Sequence, residues 1–154
     1  MTEVFNMHSS IDVANKLLEL ANQNNKTLTP MQLIKLVFLC HGWMLGLYGR
    51  HLIKDAVEAW RYGPVLPNLY KKIKHFRSNP VTKINSEHLC PDQFDEVETN
   101  VIEQVYNLYG HWNGIQLSAL THEKDSPWDK TWNSGNLIIS NDLIENYYQN
   151  QIKQ

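Results

Sequence analysis

Ile11, Ala14, Leu17, Leu18 and Ala21 recur at the three- and four-residue spacing of an amphipathic helix. Ser9 and Ser10 precede them, and either suits the N-cap. After a polar break over residues 22–25, Thr29-Pro30-Met31-Gln32 combines a capping Thr, a Pro at the first helical position and a Gln at the third. That is the signature of a capping box, in which Thr29 accepts from an orphan N–H and Gln32 reaches back. The helix it opens covers about 29–48 and ends at Gly49. It is apolar nearly all round (Leu33, Leu36, Val37, Phe38, Leu39, Trp43, Met44, Leu45, Leu47), so it has no solvent face and belongs at the centre of the fold. Gly42 and Gly46, four apart, mark one side where another element approaches closely. A membrane-dimer reading of that pair fails, because the stretch from Leu36 to Tyr48 contains His41 and is shorter than the ~20 residues of a membrane span.

Beyond Gly49 the pattern is broken into shorter pieces. Leu52-Ile53 and Ala56 to Trp60 allow two short strands or a compact loop, and a small hairpin near 51–60 is favoured. Pro67 opens a helix through Phe76 with Leu69, Tyr70, Ile73 and Phe76 on its apolar face. Residues 78–91 read as a loop, with Val81 to Ile84 as an optional strand. Asp92, Asp95 and Glu96 favour a helix start through the dipole, and Phe94, Val97, Val101, Val105 and Leu108 carry that helix to Gly110. Asn113, Ser126 and Ser140 each cap a further helix, the last bearing Leu143, Ile144, Tyr147 and Tyr148. The expected fold is mainly α, a compact single domain over residues 1–154 with its core at about 6–148, built around the central helix at about 29–48.

Composition narrows the function. A chain of 154 residues, 42% hydrophobic, is long enough to bury a core without disulfides or metals. Its net charge of −2 argues against a dedicated DNA binder, whose affinity comes from Lys and Arg against phosphates. Two cysteines, Cys40 in the apolar helix and Cys90 in the loop, form neither a disulfide framework nor a four-ligand metal site. Met1 to Asn6 lacks the basic and apolar regions of a signal peptide. The expectation is a soluble, cytoplasmic protein with no cofactor.

No catalytic pattern emerges. Of seven histidines, only His41 and His51 come near another possible ligand, Cys40, and no zinc spacing accompanies them. Ser118 and His122 share a helical face without a third orienting group, so their bland reading is a hydrogen bond that ends the helix. Gly110 to Gly114 lacks the context of a phosphate-binding loop. The run Lys71-Lys72-Ile73-Lys74-His75-Phe76-Arg77 offers a basic face of Lys71, Lys72, Lys74 and Arg77, either a grip for phosphates or an acidic partner, or simply a solvated surface. Two aromatic-rich turns remain: Trp60-Arg61-Tyr62-Gly63-Pro64-Val65, where Gly63 and Pro64 force a sharp turn, and His122 with Ser126-Pro127-Trp128. Their rings suit core packing and capping, or a partner-binding surface.

Together these segments resemble the Panacea domain of SocA-like antitoxins, a family that also includes phage-associated GepA-type proteins. The resemblance rests on Leu33-Ile34-Lys35-Leu36 with His41-Gly42-Trp43, on Glu58 to Val65 followed by Pro67 and Tyr70, and on Leu117-Ser118, Leu120-Thr121-His122, Ser126-Pro127-Trp128 and Ile139-Ser140. It covers about Asn6 to Tyr148; nothing aligns from Arg77 to Pro91. It implies a small helical antitoxin that binds a cognate toxin directly, or an adaptor that delivers a toxin to a Clp protease. It also makes Trp43, Trp60, Tyr62, Gly63, Pro64, Val65, His122, Pro127 and Trp128 candidate partner-binding positions, with Lys71, Lys72, Lys74 and Arg77 as a partner-selective face. Two other readings stay open: an enzyme with a pocket of Trp60, Tyr62, His122 and Trp128, and nucleic-acid binding through Lys71 to Arg77.

Overall fold

A computed structural model describes residues 7–85 and 94–153. Met1 to Asn6, Cys90 and Asp92, to which the sequence assigned roles, lie outside the described residues.

Helix α1 (Ser10–Gln23) starts after Ser9, whose Oγ accepts from the Asp12 N–H. Helix α2 (Pro30–Tyr48) forms the expected capping box between Thr29 and Gln32 and stops at Gly49 in the left-handed conformation (φ 65°). It packs on α1, on α4 (Glu96–Tyr109), on α5 (Gly114–Thr121) and, most extensively, on α7 (Asn141–Ile152). By length and composition α2 could cross a membrane, but 72% of it is buried inside this protein, where it forms the core helix. Leu33, Leu36, Val37, Phe38, Leu39, Cys40, Met44 and Leu45 are all buried, as an all-round apolar helix requires.

Gly42 and Gly46 admit α7. A Cβ on Gly42 would lie 2.4 Å from the Tyr148 ring, and one on Gly46 would lie 2.5 Å from the Tyr148 Cβ. Tyr148 is buried there between Phe38 and Trp43, with the Trp43 ring 5.0 Å away edge-on, and burial pushes its phenol far above the ordinary range. At the other end of this interface His41 is held neutral. Its Nδ1 accepts from the Ile53 N–H (3.3 Å), so Nε2–H donates to Asn141 Oδ1 (2.9 Å), and burial draws its pKa down to about 4.

The small hairpin is present, with its first strand inside 51–60 and its second beyond it. Strand β1 (Glu58–Trp60) pairs antiparallel with β2 (Gly63–Val65), because Gly63, at φ 119°, and the ring of Pro64 place the reversal after Trp60. Leu52-Ile53 is used otherwise: the Leu52 carbonyl accepts from the His8 N–H, and a parallel bridge joins His8 to Ile53. A third segment extends the sheet on its other side, with the Ala59 N–H on the Leu137 carbonyl (2.8 Å) and the Ile139 N–H on that of Val57 (2.9 Å).

Helix α3 (Pro67–Ile73) continues into a 3₁₀ turn at Lys74–Phe76, as the apolar spacing predicts. Val81 to Ile84 forms no strand. The Val81 N–H donates to the Leu28 carbonyl (2.8 Å), and the Asn15 side chain takes both backbone groups of Ile84. In α4 the cap is Asp95, in a box with Glu98, which leaves Phe94 outside the helix and against the His8 ring. Helix α6 (Pro127–Asn133) begins at the Ser126 cap and α7 at the Ser140 cap.

Candidate functional site: a clamped hairpin turn

The turn between β1 and β2 is held through its backbone. Trp128 of α6 donates Nε1–H to the Trp60 carbonyl (2.6 Å), Ser118 of α5 donates Oγ–H to that of Tyr62 (2.6 Å), and Lys35 of α2 donates from Nζ to that of Pro64 (2.9 Å). Side chains from three helices thus take alternate carbonyls of one short turn. A carbonyl oxygen has two lone pairs, so each of these groups can accept from a helix side chain whatever its ladder partner, and each would carry a desolvation cost if buried unpaired. Gly63 sits among the donors, where a Cβ would come 2.9 Å from Lys35 Nζ and 3.6 Å from His122 Nδ1. Glycine is needed there for space as well as for its positive φ.

Lys35 is the one lysine, arginine or carboxylate on α2. It is 3% exposed, and burial draws its amine down to about 8. Ser118 gives its only hydrogen to Tyr62, so the 3.3 Å contact between Ser118 Oγ and His122 Nδ1 is served by a proton on the histidine. That is the reverse of a base activating a serine nucleophile. The His122 ring meets Trp128 edge-on at 5.2 Å, and Trp132 stacks on Trp128 at 5.4 Å. On the other flank Trp60 packs edge-on against Tyr70 and donates Nε1–H to Glu58 (2.9 Å).

Of the positions singled out in the sequence, Trp60, Tyr62, Gly63, Pro64, Val65, His122, Pro127 and Trp128 converge here. Trp43 does not; it packs edge-on against Tyr148 of α7. One surface groove of about 460 Å³ lies between Lys26, Gln32, Tyr106 and His111, away from the turn, and one of about 220 Å³ between α6 and α7 reaches only Pro127 of the motif. Among the described residues no cluster of metal-ligating side chains occurs.

What the clamp exposes is its tip. Tyr62 is 64% exposed, and the Arg61 guanidinium lies 5.6 Å from the centre of its ring. Lys71, Lys72, Lys74 and Arg77 are all exposed along α3 and the turn after it, and among the described residues none is paired with a carboxylate. Sequence reasoning missed Lys35 and the main-chain role of Ser118. The available signal was a lone ammonium inside an otherwise uncharged, all-apolar helix, which has to find a buried acceptor.

Residues 33–129, which include every donor and acceptor of the clamp, match the family described as Antitoxin SocA-like, Panacea domain. The chain is 30% identical over 126 residues to Antitoxin SocA of Caulobacter vibrioides (strain NA1000 / CB15N). That alignment covers 76% of this chain and 66% of the length of the relative. No solved structure matches the chain.

Proposed function

Because the chain belongs to the SocA-like antitoxin family with a Panacea domain, we propose that it is a cytoplasmic antitoxin, a single cofactor-free domain that neutralises a cognate toxin by direct protein–protein binding. The observation that carries this reading is the rigid display of Arg61 and Tyr62 on a turn fastened at three carbonyls. Arginine and tyrosine dominate interface hot spots, and a tip already held in one geometry loses little further entropy on binding. The open basic face of Lys71, Lys72, Lys74 and Arg77 supplies partner selection, since residues outside a shared motif are the ones able to discriminate. Its exposed charges fit a toxin with an acidic surface and speed the encounter.

The test is to express the product of the adjacent reading frame alone and then with this chain. Growth arrest by the neighbour, rescue by this chain and co-purification of the two are expected. Tyr62→Ala removes an exposed ring, so it should alter stability by no more than about 0.5 kcal/mol yet abolish rescue. Lys71→Glu with Lys74→Glu should weaken the complex more at low salt than at high salt. A harmless neighbour and no complex would overturn the proposal. A toxin whose half-life shortens in the presence of this chain, and only when a Clp protease is present, would replace masking by delivery.

A further inference from the structure

The sheet beside the clamped turn ends in an unguarded edge. The segment over residues 137–139 bonds to β1 through the Leu137 carbonyl and the Ile139 N–H, with Glu58 and Ile138 opposite each other. In an antiparallel ladder the intervening residue turns its own N–H and C=O the other way. Ile138 therefore presents both groups outward, and the Ser140 N–H follows in the same direction. Among the described residues none of the three has a hydrogen-bond partner in the protein. Natural edges are blunted with charge, proline or a covering element. Here Asn133 to Asn141 contains no charged residue and no proline, and Trp132 (45%), Leu137 (54%) and Ile138 (51%) stand exposed around it.

We infer that this edge receives an extended segment of the toxin as an added β-strand, a proposal that rests on the antitoxin reading above. The outward N–H and C=O of Ile138 with the Ser140 N–H offer three groups that one short stretch of extended backbone can match, and the flanking apolar side chains suit apolar residues at alternate positions of that strand. The edge is continuous with the tip. Trp60, the last residue of β1, lies two residues from Glu58, the partner of Ile138, a distance of ~7 Å at strand rise, and Arg61 follows it into the turn. One partner can thus pair with the edge and cover Arg61 and Tyr62 together. A second copy of this chain pairing edge to edge would bury only a few residues a side, far less than the roughly 1,000 Å² a specific interface needs.

Amide hydrogen exchange on the full chain, free and in complex with the neighbouring gene product, reads the edge directly. The Ile138 and Ser140 amides should slow at least tenfold in the complex. Ile138→Pro deletes one N–H that makes no bond inside the protein, at a position where edge strands tolerate proline, and should weaken the complex about tenfold. Ile138→Val, which keeps the amide, should bind as the native chain does. If the proline variant fails to fold, the exchange measurement on the native chain still decides. A complex that forms with both amides exchanging as before overturns the edge and leaves the antitoxin reading standing. Absence of any complex overturns both. Slowing that depends on the concentration of this chain alone assigns the edge to a second copy and overturns the toxin as its occupant.

Discussion

Replacing Lys35 by Met keeps the reach of the side chain and removes a buried ammonium. Lys35 is 3% exposed, and burial lowers its pKa from 10.5 to about 8. With those values for the unfolded and folded chains, burial of the charge costs the fold about 3 kcal/mol at pH 7 and about 2 kcal/mol at pH 9. The direction follows from proton counting. Between the two pKa values the unfolded chain holds the proton more tightly, so stability attributable to Lys35 rises with pH; below pH 8 both states are charged and the full penalty applies. The wild-type protein should therefore gain about 1 kcal/mol on Lys35→Met between pH 7 and pH 9. Loss of the bond to Pro64, worth about 1–3 kcal/mol, is common to both pH values and drops out of that change. The comparison also cancels the buried Cys40 thiol and the Tyr148 phenol, whose raised pKa values erode stability at alkaline pH in both proteins. Urea unfolding followed by circular dichroism at pH 7, 8 and 9 measures the difference, which corresponds to ~2–4 °C in Tm for a chain of this size. A difference that stays flat across this range would mean that water reaches the ammonium, and the closed clamp would be refuted.

Two further outcomes test the α2–α7 interface. Gly46→Ala places a methyl group 2.5 Å from the Tyr148 Cβ and 2.9 Å from its backbone carbon, so it should cost about 1–3 kcal/mol in thermal or chemical unfolding; a neutral substitution would show that α7 does not seat there. Neutral His41, with its pKa drawn to about 4, should lend stability that is complete above pH ~6.5 and declines by about 3 kcal/mol as pH falls toward 4, while His41→Gln should lack most of that acid limb. Identical acid limbs in the two proteins would count against the buried tautomer.

The sequence was most legible where one local rule decides the outcome. Thr29 with Gln32, and Asn113 with Gln116, form the capping boxes that their spacing announces, and Gly42 and Gly46 receive another helix as their four-residue interval implies. Which element would fill that space was not legible, because Tyr148 lies a hundred residues away in the chain. The β-type residues at 51–60 place a hairpin there, and its first strand is found there, while Gly63 and Pro64 set the reversal and the second strand, turn chemistry that outweighs strand propensity over three-residue strands. The pairing of Ile138 with Glu58 left no trace at all, since a single bridge has no alternation to read. At the site, the motif residues were recognised while the physical link among them was not. Helical spacing pairs Ser118 with His122, and that contact is present at 3.3 Å, while the serine's own hydrogen goes to the Tyr62 carbonyl, fifty-six residues away. Acceptors on the main chain are invisible to any reading based on side-chain types.

That last point bears on how such a protein diversifies. Trp128, Ser118 and Lys35 grip peptide oxygens, which every amino acid carries. The fastening is therefore indifferent to what residues 61 and 62 are, provided that Gly63 still turns the chain. The tip therefore keeps its place while residues outside the motif, such as Lys71, Lys72, Lys74 and Arg77, change, and a lineage can exchange one target for another while the scaffold beneath the turn stays the same.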